Sequence, residues 1–246
     1  MERAPISAAP TPTPTDVQRI FNRIAPAYDS LNQHLSLGLH QVWKTMAVGW
    51  SGARSGHSCL DLCCGSGDLA LILARRVGRT GQVYGVDFAA DQLAVAQLRS
   101  QSTHLPTPIH WTLADALTLP FADASFDAAT MGYGLRNLTH IQQGLQELRR
   151  VLKPGARAAI LDFHRPPPGW RQQLQQWYLD RVVVPTADRC GLREEYAYIA
   201  PSLDRFPQGP AQVELAVQAG FSHATHYPIV GGMMGVLVVG YGDSLG

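Results

Sequence analysis

The chain has 246 residues, a hydrophobic share of 46%, a charged share of 16% and a formal net charge of +1 at pH 7. That length and balance specify a folded chain with enough apolar side chains for a full core, and exclude a largely disordered one. A charge so near zero also argues against a protein built to hold nucleic acid, which needs clustered Lys and Arg.

No run reaches the roughly 18–20 apolar residues of a membrane-spanning helix; the best, residues 233–239, is strand-sized. No basic-then-apolar secretory pattern opens the chain. Three of the four cysteines, Cys59, Cys63 and Cys64, crowd one segment without a Cys-x-x-Cys pair. Reduced thiols in a cytoplasmic setting are therefore expected, as small buried residues and not as ligands; no metal site is expected.

Residues 1–15, rich in Pro, Thr and Ala, read as a disordered leader whose proline spacing forbids helix. Residues 16–246 read as a single domain, in which 16–52 form N-terminal cap helices. Asp16 is expected to cap a helix running to about residue 25, with Val17, Ile20, Phe21 and Ile24 on one face and Pro26 as its stop. A second helix is expected over 39–50. Then strands at 57–62, 82–86, 109–113 and 126–131 alternate with helices at 68–77, 89–100 and 140–152. The turn Lys153-Pro154-Gly155 leads into a fifth strand at 156–162. This alternation predicts a parallel sheet with helices on both faces. Residues 210–219 form a further helix ended by Gly220. Strands at 224–229 and 233–240, joined by only Val230-Gly231-Gly232, must pair antiparallel.

The chemistry starts at the first strand–loop–helix, Asp61-Leu62-Cys63-Cys64-Gly65-Ser66-Gly67-Asp68. Gly65 and Gly67 allow a tight turn and close approach of a ligand, and the following helix points free N–H groups at it. The next strand ends in Asp87, an acid able to accept ribose hydroxyls. The string Gly65-Ser66-Gly67-Asp68-Leu69-Ala70 also fits the dinucleotide fingerprint. Asp61 and Asp68, however, flank the loop with carboxylates, which repel a pyrophosphate and suit an ammonium or sulfonium group. Asp115, after the third strand, can bond an adenine amino group.

With the terminal hairpin, this pattern resembles the class I S-adenosylmethionine methyltransferase (Rossmann-like) fold, a mostly parallel seven-stranded sheet. Val17-Gln18-Arg19-Ile20-Phe21-Asn22-Arg23-Ile24-Ala25-Pro26-Ala27-Tyr28-Asp29-Ser30-Leu31-Asn32 resembles the N-terminal signature of the UbiE/MenG quinone C-methyltransferases. Gly134-Leu135-Arg136-Asn137 resembles their second signature. Arg149-Arg150-Val151-Leu152-Lys153-Pro154-Gly155 resembles a third that many class I enzymes share. The segments Asp162-Phe163-His164-Arg165-Pro166 and Glu194-Glu195-Tyr196-Ala197-Tyr198-Ile199 look most like the cyanobacterial branch. Class I loops usually carry a glycine where this chain has Cys63, so the loop backbone there is expected to sit differently.

The resemblance implies S-adenosylmethionine as cofactor. Asp61, Gly65, Ser66 and Gly67 would serve its amino-acid end, Asp87 with Phe88 the ribose side, and Asp115 with Ala116 the adenine. Gly132, where the family often has Ser, and Tyr28 are further contacts, Tyr28 helping Asn32 to close the site. It implies C-methylation of a reduced prenyl-naphthoquinone, 2-phytyl-1,4-naphthoquinol to phylloquinol, the last step of phylloquinone biosynthesis. Another prenyl quinol, of menaquinone or ubiquinone type, is the alternative. The quinol is expected because a quinone carbon is electron-poor. Arg136 is expected to stabilise the phenolate, Asn137 to orient a hydroxyl or water, and Asp115 or its water to take the ring proton.

His34, His40, His164 and His226 read as structural histidines. Trp170, Leu174, Trp177 and Tyr178 form an apolar helix stripe, for which core packing is favoured over contact with a membrane or prenyl tail. A peripheral membrane contact and a homodimer stay open. The rival readings are a nicotinamide-dependent oxidoreductase and a non-catalytic cofactor-binding protein. A base-amine methyltransferase lacks its Asn/Asp-Pro-Pro-Tyr motif here.

Overall fold

The computed structural model of the protein describes residues 13–25 and 38–242. Its first helix, α1 (Pro14–Ile24), begins earlier than the sequence suggests. Thr13, not Asp16, is the cap: its hydroxyl accepts from the Asp16 amide at 3.2 Å, while the Asp16 carboxylate accepts from the Thr13 amide at 3.0 Å. Pro14 is tolerated because the first helical position has no intrahelical use for an N–H. α2 (Leu39–Trp50) has the expected bounds. Tyr28, Asn32 and His34, all assigned by the sequence reading, lie outside the described residues.

The sheet runs β3-β2-β1-β4-β5-β7-β6, with strands Ser58–Leu62, Gln82–Asp87, Ile109–Leu113, Phe126–Gly132, Leu152–Phe163, His223–Ile229 and Met234–Gly240 as β1 to β7. β1 to β5 pair in parallel; β7 slots antiparallel between β5 and β6. The expected turn at Gly155 is a bulge inside β5. The register jumps from Phe126 opposite Leu152 to Ala128 opposite Arg157, and Gly155 sits at φ 81° with its amide on the Tyr241 carbonyl.

Helices α3 (Asp68–Val77), α4 (Ala90–Gln101) and α5 (Ile141–Val151) follow β1, β2 and β4. β1 is the deepest strand, with Cys59 to Leu62 all fully buried, as a parallel central strand must be. Its alternate residues serve two cores. Leu60 and Leu62 pack with Leu145 and Leu148 of α5, whereas Cys59 packs with Leu69 and Leu73 of α3 and Ala47 and Val48 of α2.

Between β5 and the last helix the chain makes a helical excursion that the sequence reading saw only in part. α6 (Trp170–Tyr178) runs through a π-turn at Leu179–Val183 into α7 (Val184–Asp188), then α8 (Arg193–Ala197) and α9 (Ile199–Arg205), before α10 (Gly209–Gln218). Leu179, Val183, Ala187, Leu192, Tyr196 and Leu203 form their own core, against Ile24 of α1. The stripe on α6 is not core: Trp170 is 69% exposed, Leu174 45% and Trp177 55%.

Candidate active site

The strand order reverses direction at β1, with β2 and β3 on one side and β4 on the other. Ligands bind open α/β sheets at that switch point, beyond the carboxyl ends of the strands. The loops after β1, β2 and β4 meet there. In the first, Cys63, Gly65 and Gly67 take φ values of 54°, 53° and 88°. The first value explains the glycine usual at that position, since a side chain in the left-handed region costs about 1–2 kcal/mol. The price of the thiol is also geometric: a Cβ on Gly134 would lie 2.6 Å from the Cβ of Cys63, so the loops after β1 and β4 touch and only glycine fits at 134.

The four acids separate into different roles. Asp68 is matched within the protein, by Lys44 of α2 and by Arg99 of α4 at 2.5 Å. Burial alone would raise its carboxyl, but these two cations hold it down at about 2. By sequence alone Asp68 is an open charge for a cationic ligand; tertiary contacts neutralise it. Asp68 still lines the pocket, whereas Asp61 does not reach its wall. It is fully buried behind the loop, accepting from the Ala70 amide at 2.8 Å and the Thr130 hydroxyl at 2.9 Å. Asp87 lines the pocket and ties its loops together, accepting from Gly65 N at 2.7 Å and Ala89 N at 2.9 Å. Its burial pushes the carboxyl up, against those bonds. Asp115 also lines the pocket but is exposed, with one oxygen on the Leu117 amide at 2.9 Å.

Asp61 yields a pH prediction. Burial lifts its carboxyl to about 7, although the Thr130 and Ala70 bonds and the charge of Lys44 lower it. The unfolded chain loses that proton near the ordinary 3.8. Between about 4 and 7 the folded protein therefore holds a proton that the unfolded chain has released, and the Asp61 contribution to stability declines as pH rises through that window. Asp61→Asn, whose amide can donate to a reoriented Thr130 hydroxyl, removes the decline. Urea midpoints at pH 4 and pH 8 are expected to show the variant near wild type at the first and more stable than wild type at the second. A difference independent of pH would refute the shift.

Gly65, Ser66, Phe88, Ala116 and Gly132 line the same pocket. Ser66 is held by Arg99, which donates to its carbonyl at 2.7 Å and its hydroxyl at 3.0 Å. Val17 and Phe21 of α1 complete a wall, fixed by Gln18 donating to the Phe88 carbonyl at 2.6 Å and Gln92 donating to the Phe21 carbonyl at 3.0 Å. So α1 itself closes this side. Sequence alone does not single out Gln92 from Gln97 and Gln101 on the same helix, because only the fold supplies that helix's orientation. Its buried Oε1 and the Oδ1 of Asn137 both border the pocket with no hydrogen-bond partner among the described residues. Two buried acceptors left open are a demand for a ligand with donors.

Arg136 behaves differently from expectation. Its guanidinium is locked on Asp162, and also donates to the Tyr133 carbonyl at 2.9 Å. The pair is buried, 8% and 2% exposed. Arg136 lines neither this pocket nor the next. It braces Tyr133, whose carbonyl also accepts from Asn137 at 2.8 Å. Tyr133 sits at φ 60°, stacks on Phe163 at 4.8 Å between centroids, and borders two pockets.

The second pocket is a cavity of about 370 Å³, within the usual range for small-molecule sites. Trp43, Phe163, Leu174, Leu179, Val183 and Met234 make its walls almost wholly apolar. α2, α6, the π-turn, the end of β5 and the start of β7 supply them, so the unforeseen excursion roofs this cavity. A polar pocket with open acceptors and an apolar one thus share Tyr133.

The profile of the ubiE/COQ5 methyltransferase family matches residues 11–240. The chain belongs to that family. It is 64% identical over 224 residues to a 2-phytyl-1,4-naphtoquinone methyltransferase of Trichormus variabilis, covering 91% of this chain and 98% of the relative. It is 51% identical over 221 residues to the chloroplastic 2-phytyl-1,4-beta-naphthoquinone methyltransferase of Arabidopsis thaliana, covering 89% and 85%. A putative S-adenosylmethionine-dependent methyltransferase of Methanococcus maripaludis shares the fold, with a TM-score of 0.64, 15% identity and coverage of 97% and 98%. The protein is therefore an S-adenosylmethionine-dependent methyltransferase of class I fold. The first pocket suits that donor. Its open acceptors, Gln92 Oε1 and Asn137 Oδ1, and its acids Asp87 and Asp115 match a ligand rich in hydroxyl and amino donors. Among the described residues the one cation on its walls, Lys44, is held by Asp68, which leaves little for a pyrophosphate.

Proposed function

We propose that the protein methylates a ring carbon of a reduced prenyl-naphthoquinone, converting 2-phytyl-1,4-naphthoquinol to phylloquinol. The observation that carries this reading is the apolar cavity that meets the polar pocket at Tyr133. The names of the relatives support the choice of ring. When bound, S-adenosylmethionine supplies an activated methyl group. In this reading Asp87 holds its ribose and Asp115 with Ala116 its adenine. Gln92 and Asn137 give it their open acceptors, and Gly65 and Ser66 border its amino-acid end. The cavity orients the quinol and excludes water, and holding two reactants in line is worth up to roughly 7–11 kcal/mol. Transfer of labelled methyl to the demethyl naphthoquinone is expected only with a reductant present. Equal rates without it would overturn the quinol reading.

The tail needs an exit, and the cavity's wall residues Leu174 and Val230 are themselves exposed, 45% and 38%. Trp170 and Trp177 continue that apolar surface along α6. A surface of this kind suits the edge of a membrane, where amphipathic aromatic rings partition. Among the described residues no helix is long and apolar enough to cross one. Trp177→Glu is expected to raise KM several-fold for the phytyl substrate and to leave a tail-less analogue unaffected. An equal change on both would remove this surface from the reading.

A further inference from the structure

One helix serves both pockets. α1 presents Val17 and Phe21 to the polar pocket. About one turn further on, it buries Ile24 in the core that holds Leu179, Val183, Tyr196 and Leu203, and these four side chains line the apolar cavity. Hydrogen bonds fasten both stretches: the Asp91 amide donates to Asn22 Oδ1 at 3.3 Å, and Arg23 donates to the Gly191 carbonyl at 3.1 Å. With 11 residues α1 is shorter than the roughly 12–15 a helix needs to persist alone in water, so it is ordered by what it docks against. Part of that docking surface is the wall of a pocket built for a ligand.

Gln92 is where ligand and helix meet. Its side chain is buried, with the residue 1% exposed. The Phe21 carbonyl only accepts, so the Gln92 amide nitrogen faces α1 and the oxygen faces away from it. That Oε1 borders the polar pocket, 3.7 Å from where a Cβ on Gly65 would stand, with no partner among the described residues. Its aim depends on α1. With the Phe21 carbonyl in place the amide is fixed; without it the amide is free to turn.

We propose that α1 couples the two pockets, with Gln92 as the positioning residue: a donor group of the bound cofactor engages Gln92 Oε1, which seats α1, and α1 through Ile24 firms the roof of the apolar cavity. That this cavity holds the quinol rests on the reading above; the link from cofactor to roof does not. A ligand shifts a helix only by contacts that differ between its two states. Here the seated helix alone offers the cofactor the walls of Val17 and Phe21 and an aimed acceptor. By linkage, cofactor then strengthens substrate binding, and substrate strengthens cofactor binding by the same factor.

The test is hydrogen–deuterium exchange of the full chain with and without saturating S-adenosylhomocysteine. In wild type the ligand is expected to slow exchange about fivefold or more in residues 17–24 and also in 179–203, a stretch that contributes nothing to the polar pocket. In Gln92→Leu, saturated at a higher ligand concentration, the slowing is expected to fall below about twofold in both segments. In Ile24→Ala it is expected to persist in 17–22 and to be lost in 179–203. The readout is the ratio of rates with and without ligand, which a merely weaker fold does not abolish. Slowing confined to 17–24 in wild type would overturn the coupling without any variant. A Gln92→Leu ratio equal to wild type would overturn the role of Gln92. As a second measure, the ligand is expected to tighten binding of the oxidised demethyl naphthoquinone about fivefold in wild type and to leave it unchanged in Ile24→Ala. Failure of the naphthoquinone to bind at all would instead overturn the quinol reading, with the exchange result still deciding the coupling.

Discussion

Arg136→Met is expected to destabilise the protein by about 3–5 kcal/mol, because it strands the Asp162 carboxylate in the interior. Asp162 is 2% exposed on its side chain and meets Arg136 twice, through the guanidinium and through the backbone amide at 3.1 Å. Its first oxygen also accepts from the Phe163 amide at 2.8 Å. These bonds satisfy the carboxylate only while the guanidinium balances its charge. The urea midpoint should fall sharply with an unchanged slope. Arg136→Met combined with Asp162→Asn should recover much of the loss, since a neutral amide is cheaper to bury unpaired. The alternative from sequence, a guanidinium reserved for the phenolate, predicts the reverse: near-wild-type stability with kcat alone reduced. That second pattern would refute the bracing role. It would also return Arg136 to the reacting atoms.

Asp87→Ala is expected to weaken cofactor binding at least about 100-fold, the loss of two hydrogen bonds to a charged group at roughly 1.5–3 kcal/mol each. Gly65 N and Ala89 N both donate to this carboxylate, so its removal frees the glycine loop and the start of the next helix together. It also takes away the acceptor that the ribose would use. The check is titration with S-adenosylhomocysteine, alongside thermal unfolding to establish that the variant still melts cooperatively. Affinity within threefold of wild type in a cooperatively folded variant would mean that Asp87 shapes neither the loop nor the pocket.

Local pattern carried most of the fold. The 3.6-residue rhythm of 39–50, 68–77 and 141–151 and the short apolar runs between them need only nearest neighbours along the chain to be legible. The hairpin at 230–232 follows from a linker too short for any crossover. Two misreadings have local causes as well. Pro14 reads as a helix breaker unless its position in the first turn is known, and Gly155 reads as a turn unless the register of β4 against β5 is known. The excursion from Trp170 to Arg205 was harder, because its core depends on Ile24 of α1, far away in the chain. Its exposed Trp stripe cannot be distinguished from a buried one by spacing alone.

The candidate site divides in the same way. The glycine loop, Asp87, Asp115 and the Gly134-Leu135-Arg136-Asn137 run declare themselves by type and by their place after strands. The partners of each charge do not, since ion pairs join residues distant in sequence. Asp68 looks like an open carboxylate until Lys44 and Arg99 arrive from two other helices, and Arg136 looks like a free guanidinium until β5 brings Asp162. Gln92 looks like one more helix glutamine until α1 lays the Phe21 carbonyl on it.

By itself, then, the sequence determined a doubly covered parallel sheet, a nucleotide loop at the end of its first strand and a likeness to quinone methyltransferases. Backbone periodicity, turn chemistry and motif order are properties of the chain. Only the tertiary structure decided which acids line the pocket and which are held inside, that Arg136 pairs with Asp162, and that an apolar cavity adjoins the loop at Tyr133. Those depend on desolvation and charge pairing, and both are fixed by what distant segments bring within a few ångströms of each other.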